Sequence, residues 1–165
     1  MTRTILLASV AAFAAATPAF AQEAAPAPVS SFTGGHIGAN VGFADDDAFG
    51  TEVFTYGVDA GYDYDLGQAV VGATVEAQDS KDTGRDLSIV GRAGVKAAPN
   101  VLVYGLAGYT NLKVVDGFKV DGWRVGAGVE AVVAPHFSVK LEQRYSDYEY
   151  DAHIWQTVIG AGFRF

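Results

Sequence analysis

The stretch Trp155 to Phe165 alternates residue by residue. Trp155, Thr157, Ile159, Ala161, Phe163 and Phe165 fall on one side of an extended chain, and Gln156, Val158, Gly160, Gly162 and Arg164 fall on the other. A strand repeats its side-chain direction every two residues, so one face is aromatic and apolar and the other small or polar. The same period recurs from Phe32 onward and predicts eight strands. The first covers about Phe32 to Phe43, with Ile37, Ala39, Val41 and Phe43 on one face. The second covers about Glu52 to Tyr64, with Phe54, Tyr56, Val58, Ala60, Tyr62 and Tyr64. The third covers about Gln68 to Ala77 (Ala69, Val71, Ala73, Val75, Ala77), and the fourth about Asp86 to Lys96 (Leu87, Ile89, Ala93, Val95). The fifth, about Val101 to Leu112, is apolar on both faces, so no register follows. The sixth covers about Gly122 to Val133 (Trp123, Val125, Ala127, Val129, Ala131), and the seventh about Phe137 to Ser146 (Phe137, Val139, Leu141, Tyr145). The last covers about Ala152 to Phe165.

The connections are of two kinds. Leu66-Gly67, Ala98-Pro99-Asn100 and Ala134-Pro135-His136 are tight turns built on Gly and Pro. The segments Ala44 to Thr51, Gln78 to Arg85, Lys113 to Asp121 and Asp147 to Asp151 are more polar and mostly acidic. An even strand count, with tight turns at one end and longer polar loops at the other, is the plan of an antiparallel up-and-down transmembrane β-barrel. Both ends of the barrel segment then lie on the turn side. A two-layer sandwich would alternate as well. Against it stand aromatics near the strand ends of the apolar faces (Tyr62, Tyr64, Phe137, Tyr145, Phe163, Phe165), which suit two membrane interfaces. The opposite faces combine glycines with charges and do not look solvated.

Half of the 165 residues are hydrophobic, yet beyond the first segment no continuous apolar run has helical length. That first segment, Met1 to Ala21, has Arg3, an apolar stretch and an Ala19-Phe20-Ala21 ending, which together predict a cleaved secretory signal. Gln22 to Ser31, with Pro26 and Pro28, reads as a flexible periplasmic leader, and residues 32–165 as the barrel. The formal charge of −8 argues against nucleic acid as a partner. The chain has no Cys, which removes disulfides, a lipid anchor, thiolate metal sites and Cys nucleophiles. No cofactor or metal is expected.

With the aromatic faces toward lipid, the inward set contains Gly38, Gly42, Gly57, Gly61, Gly72, Gly94, Gly126, Gly128, Gly160 and Gly162. It also contains Glu76, Arg92, Arg124, Glu130, Lys140, Glu142 and Arg144, with Asp59 and Arg164. A charge facing hydrocarbon costs about 2–4 kcal/mol at mid-membrane, so these groups point inward and need partners. A tight turn at Pro135 sets Glu130 opposite Lys140, Gly128 opposite Glu142 and Gly126 opposite Arg144, with Arg124 one diagonal step away. Glu142 is then expected to meet Arg92 or Arg144. The network admits two readings: a gated ion path, or a salt-bridged interior that lets eight strands close. The second is preferred, because such a barrel is only just wide enough for its own side chains.

Two other groups bear on chemistry. Ser80, Asp79 and His153 near the loop end are the parts available for acyl transfer, although Asp79-Ser80 reads more simply as a turn, and parity points His153 toward lipid. Asp45-Asp46-Asp47, with Glu52, is the densest acidic run; it lacks the alternation of a calcium loop and reads as a solvated loop.

Gly122-Trp123-Arg124-Val125-Gly126-Ala127-Gly128-Val129-Glu130, then Ser138-Val139-Lys140-Leu141-Glu142-Gln143-Arg144-Tyr145-Ser146-Asp147, and the closing Gly160-Ala161-Gly162-Phe163-Arg164-Phe165 carry a resemblance. The chain resembles the small outer-membrane β-barrel family, which groups opacity-type proteins, OmpA-like amino-terminal barrels and porin-like surface proteins of alphaproteobacteria. Gln143 stands where that pattern has an aromatic. The resemblance implies an integral protein of the Gram-negative outer membrane with a structural or surface role and implies no reaction. It implies that Trp155, Ile159, Phe163 and Phe165 are read by the barrel-insertion machinery. The expected partners are outer-membrane lipid and lipopolysaccharide, with periplasmic chaperones during biogenesis, around a monomer. The function expected is envelope integrity and surface contact. The alternatives are a narrow porin-like channel and a lipid-acting enzyme using Ser80 and His153.

Overall fold

A computed structural model describes residues 32–46, 51–80, 84–113, 119–148 and 152–165. The eight strands are β1 (Gly34–Asp46), β2 (Thr51–Asp65), β3 (Ala69–Ser80), β4 (Arg85–Ala98), β5 (Val101–Lys113), β6 (Lys119–Ala134), β7 (Phe137–Tyr148) and β8 (Ala152–Arg164). Each pairs antiparallel with its sequence neighbour, and β8 pairs with β1. The sheet therefore closes on itself, as expected, and leaves no edge, which a sandwich would have. The segments read as signal and leader lie outside the described residues, as does Asp47.

The largest departure from expectation is at the loop end. β1 continues to Asp46, β3 to Ser80 and β7 to Tyr148, while β4 begins at Arg85 and β6 at Lys119. Asp79 and Ser80, expected in a turn, pair with Tyr56 and Thr55. Polar residues there do not end a strand: Ser80 is buried inward and Asp79 faces out, where an exposed carboxylate costs little once the wall has left hydrocarbon. At the other end β1 starts at Gly34, later than expected, and Phe32 folds into the barrel mouth instead, completely buried. The tight turns fall where expected. Gly67 in the first has φ 96° and His136 in the third has φ 69°, the left-handed conformation such turns need. His136 holds its turn against β8, with Nδ1 2.9 Å from the Arg164 carbonyl.

In-out alternation holds on every strand. Ile37, Val58, Val75, Ile89, Val129 and Ile159 form an exposed apolar belt. One aromatic ring of residues near the turns comprises Tyr62, Tyr64, Phe137, Phe163 and Phe165; the other, toward the loops, comprises Phe43, Phe54, Tyr56, Tyr109, Trp123, Tyr145 and Trp155. Their members pack on one another: Tyr145 lies 5.0 Å from Trp155 and 5.6 Å from Trp123, and Phe137 lies 5.4 Å from Phe163. Amphipathic rings at two heights mark the two membrane interfaces. At the position of Gln143 the missing aromatic is replaced by a cross-strand hydrogen bond from Thr157 Oγ1 (2.7 Å).

The register of β5, open on sequence grounds, is settled: Leu102, Tyr104 and Leu106 face inward. Leu102 and Leu106 join Phe32, Val70 and Val90 in a small apolar cluster inside an otherwise polar interior.

Candidate functional site

The interior is built in layers. Near the turn end, four strands each give one charged residue to a closed ring: Asp63 from β2, Arg92 from β4, Glu130 from β6 and Arg164 from β8. Arg92 donates through Nε to Asp63 (2.7 Å) and through Nη1 to Glu130 (2.7 Å). Arg164 donates to Glu130 (2.9 Å) and to Asp63 (2.8 Å). Two guanidiniums alternate with two carboxylates, so the ring is electrically neutral and each carboxylate is shared. Such buried groups are tolerable only when paired and hydrogen-bonded. Arg164 also donates to the Phe32 carbonyl and lies over the Phe32 ring, 5.2 Å away, which ties the capping residue to the ring. His36 faces the same ring, with Nδ1 3.3 Å from Asp63 and Nε2 3.3 Å from Thr74 Oγ1.

The middle layer centres on Arg144 of β7. Its Nη1 and Nη2 grip both oxygens of Glu76 on β3 (2.6 and 2.8 Å), and its Nε donates to Glu142 (2.7 Å). Bidentate charge-assisted pairs of this kind are among the strongest in proteins. Glu142 also accepts from the Tyr104 hydroxyl. Lys140 donates to Asp59 (2.9 Å), which accepts from Asn40 as well (3.1 Å). Toward the loops Arg124 binds Asp86 and donates to Ser146 (2.8 Å) and Ser88 (3.2 Å). Beside this ionic layer lies a neutral one, in which Gln156 donates to Thr55 (2.8 Å) and Gln78 (3.1 Å), and Gln78 donates to Asn40 (3.0 Å).

Glycine makes the room for these arms. A Cβ on Gly128 would lie 2.8 Å from Glu142 Cγ and 2.9 Å from the Tyr104 ring, and one on Gly160 would lie 2.7 Å from Lys140 Cε.

All seven expected interior charges (Glu76, Arg92, Arg124, Glu130, Lys140, Glu142, Arg144) face the lumen and are ion-paired. The expected register also holds, with Glu130 opposite Lys140, Gly128 opposite Glu142 and Gly126 opposite Arg144. The partners differ. Glu130 binds Arg92 and Arg164, while Lys140, its opposite number, reaches Asp59. Of the two partners expected for Glu142, Arg144 is found and Arg92 is not; Arg92 is taken up by Asp63 and Glu130. The reason is reach: a long side chain in a narrow lumen meets the opposite wall more easily than its cross-strand neighbour. Sequence reasoning missed Asp63 and Asp86. Both share parity with inward neighbours, Asp63 with Asp59 and Asp86 with Arg92, and that signal was available.

Trp155, Ile159, Phe163 and Phe165 stand exposed along the outer face of the terminal strand. Ser80 and His153 are not brought together. Ser80 is buried on the inner face of β3, and His153 lies on the outer face of β8 against Tyr145 (hydroxyl to Nδ1 3.0 Å) and Asp147 (3.5 Å). The wall lies between them, and acyl transfer needs its nucleophile and base within hydrogen-bond reach. Among the described residues no group of three or more His, Cys, Asp or Glu is placed to hold a metal ion.

A closed barrel with an apolar belt between two aromatic rings and a charged interior whose described charges are ion-paired defines a transmembrane β-barrel of the outer-membrane type. The chain belongs to the family described as the outer membrane protein β-barrel domain, whose model matches residues 5–165. It is 35% identical over 150 residues to the 22 kDa outer membrane protein of Rhizobium leguminosarum bv. viciae, an alignment covering 78% of this chain and 70% of the relative. It is 27% identical over 209 residues to the 31 kDa outer-membrane immunogenic protein of Brucella melitensis, covering 88% and 87% of the two chains. Among solved structures it is similar to the amino-terminal β-barrel domain of Pseudomonas aeruginosa OprF, with a TM-score of 0.57, 16% identity and coverage of 79% of this chain and 97% of that one. The protein resides in the Gram-negative outer membrane.

Proposed function

We propose that this barrel is a closed structural element of the outer membrane that supports envelope integrity and offers its loops for surface contact, with no reaction of its own. The observation that carries this reading is the neutral ring of Asp63, Arg92, Glu130 and Arg164 above a buried Phe32. An ion crossing the barrel would have to break at least two of those pairs. An interior pocket bordered by His36, Asp59, Arg92, Glu130, Ser138 and Lys140 offers about 10 Å³, the lower limit for one water. On this reading the barrel works as a monomer. The outer face of β8, with Trp155, Ile159, Phe163 and Phe165, is what the insertion machinery reads after periplasmic chaperones deliver the chain.

Planar-bilayer recording tests the closed interior. The expected trace is flat for the native protein. Stepwise openings that disappear when Glu142 is replaced by Gln would overturn the reading in favour of a narrow channel.

A further inference from the structure

Six of the eleven Lys and Arg residues turn into the barrel: Arg92, Lys96, Arg124, Lys140, Arg144 and Arg164. The two cations whose side chains are described on the outer face, Arg85 and Lys113, stand together. Arg85, the first residue of β4, pairs in register with Lys113, the last residue of β5, and Lys113 pairs with Lys119, the first residue of β6. Three cationic positions thus stand side by side on adjacent strands at the loop end. Like charges directly opposite one another in a sheet are destabilising. Arg85 and Lys113 are exposed, and neither has an ion-pair partner among the described residues. The carboxylate nearest in register is Asp121 on β6, which accepts from Asn111 Nδ2 (2.5 Å). Elsewhere at this end the described outward charges are acidic: Asp45 on β1, Asp79 on β3 and Asp147 on β7.

Height and direction decide what this patch meets. Tyr109 and Trp123, on β5 and β6, belong to the aromatic ring at the outer interface. Lys113 and Lys119 lie four residues further from the midplane, which on a strand tilted by about 40° is about 10 Å. That is the headgroup layer of the leaflet on the loop side, the outer one in barrels with short periplasmic turns. By strand parity Arg85 and Lys113 face outward from the wall, the side that meets neighbouring lipid, and both are exposed. We propose that Arg85 and Lys113 form a site for the phosphate of a phosphorylated outer-leaflet glycolipid. Arg85 supplies a planar fork that matches two phosphate oxygens, and the lysine supplies a point charge. The bound anion relieves the repulsion between the strands. The site stands on the placement of the barrel in the outer membrane and is independent of whether the interior conducts.

The test uses the full chain folded in a neutral detergent and titrated with diphosphoryl lipid A, followed by tryptophan emission. The result expected is saturable binding that weakens as salt is added. Dephosphorylated lipid A should bind at least about ten-fold more weakly, a difference of about 1.4 kcal/mol. The double variant Arg85→Gln/Lys113→Gln, shown to be closed by its heat-modifiable gel migration, should lose affinity to a similar degree. Asp79→Asn, on the acidic side, should not. Equal binding of the two lipids, which requires no variant, would overturn the site. So would equal binding by a closed double variant. Complete displacement by excess inorganic phosphate would overturn the lipid as the source of the anion.

Discussion

Two parts of the interior are equally dry and differently built. Around Arg144 and Glu142, each 3% exposed, full charges are held in bidentate and shared pairs. Around Gln78 and Gln156, each 4% exposed, neutral amides and a hydroxyl form a chain. Both parts satisfy their polar groups, and a count of hydrogen bonds would rank them alike. They differ in what is left when one member is removed. An amide leaves an unmatched dipole, whereas a guanidinium leaves buried carboxylates whose desolvation nothing offsets. The ionic region therefore enforces its own completeness, and the amide region is more forgiving.

The comparison breaks first at Arg144. Arg144→Met removes the partner of both Glu76 and Glu142, and should cost about 3–5 kcal/mol in urea unfolding of the protein folded into phospholipid vesicles. Adding Glu76→Gln should recover part of that loss, as coupled neighbours do in a double-mutant cycle. A cost for Arg144→Met no larger than that of an amide substitution would refute the distinction. Gln156→Leu keeps volume and orphans an oxygen of Gln78, so the same assay should read about 1–3 kcal/mol. The smallest effect belongs to a charge pair at the turn-end mouth of the barrel. Asp65, the last residue of β2 beside the first turn, pairs with Lys96 (2.5 Å). Burial pushes its carboxyl up, but Lys96 and the amides of Phe32 and Gly67 outweigh that and hold it below the usual range. A depressed carboxylate stabilises the fold above its ordinary pKa and loses that contribution as pH falls through the folded value. The slight advantage of the native chain over Asp65→Asn should be present at neutral pH and vanish in strong acid. A large effect would show that a pair at the mouth of the barrel costs as much to break as one in the middle layer.

Much of this was legible in the chain. Strand number, the three turns and the facing of every strand but β5 follow from period-two alternation, because one face must be apolar throughout. The hairpin at Pro135 was legible to the residue, since a tight turn leaves the register little freedom. Apart from Glu142 with Arg144, one of two partners expected, the ion pairs were not. Glu76 and Arg144 are 68 residues apart in sequence and four strands apart in the wall. Which layer each charge joins depends on strand tilt and stagger, a property of the closed cylinder and not of any hairpin. β5 was opaque for another reason: Leu102 and Leu106 pack inward on Phe32 and Val90, so an apolar residue there says nothing about facing. The loop-end boundaries misled because polarity was read as the end of a strand, whereas the ladder continues past the edge of the membrane.

Arg164 has a consequence in time as well as in space. It sits on β8 and joins Asp63, Glu130 and the carbonyl of Phe32, which lies 132 residues away in sequence. Pairing of β8 with β1 is the longest-range event in this topology, and loop closure over such spans must precede any reward from the contacts made. If the Arg164 bonds to Asp63 and Phe32, which span that seam, form only as the cylinder shuts, they are absent from the transition state. Interactions absent from the transition state leave the folding rate nearly unchanged and slow its reversal. On that order Arg164 is expected to act as a latch, with little influence on how fast the barrel assembles and a large one on how long it stays assembled.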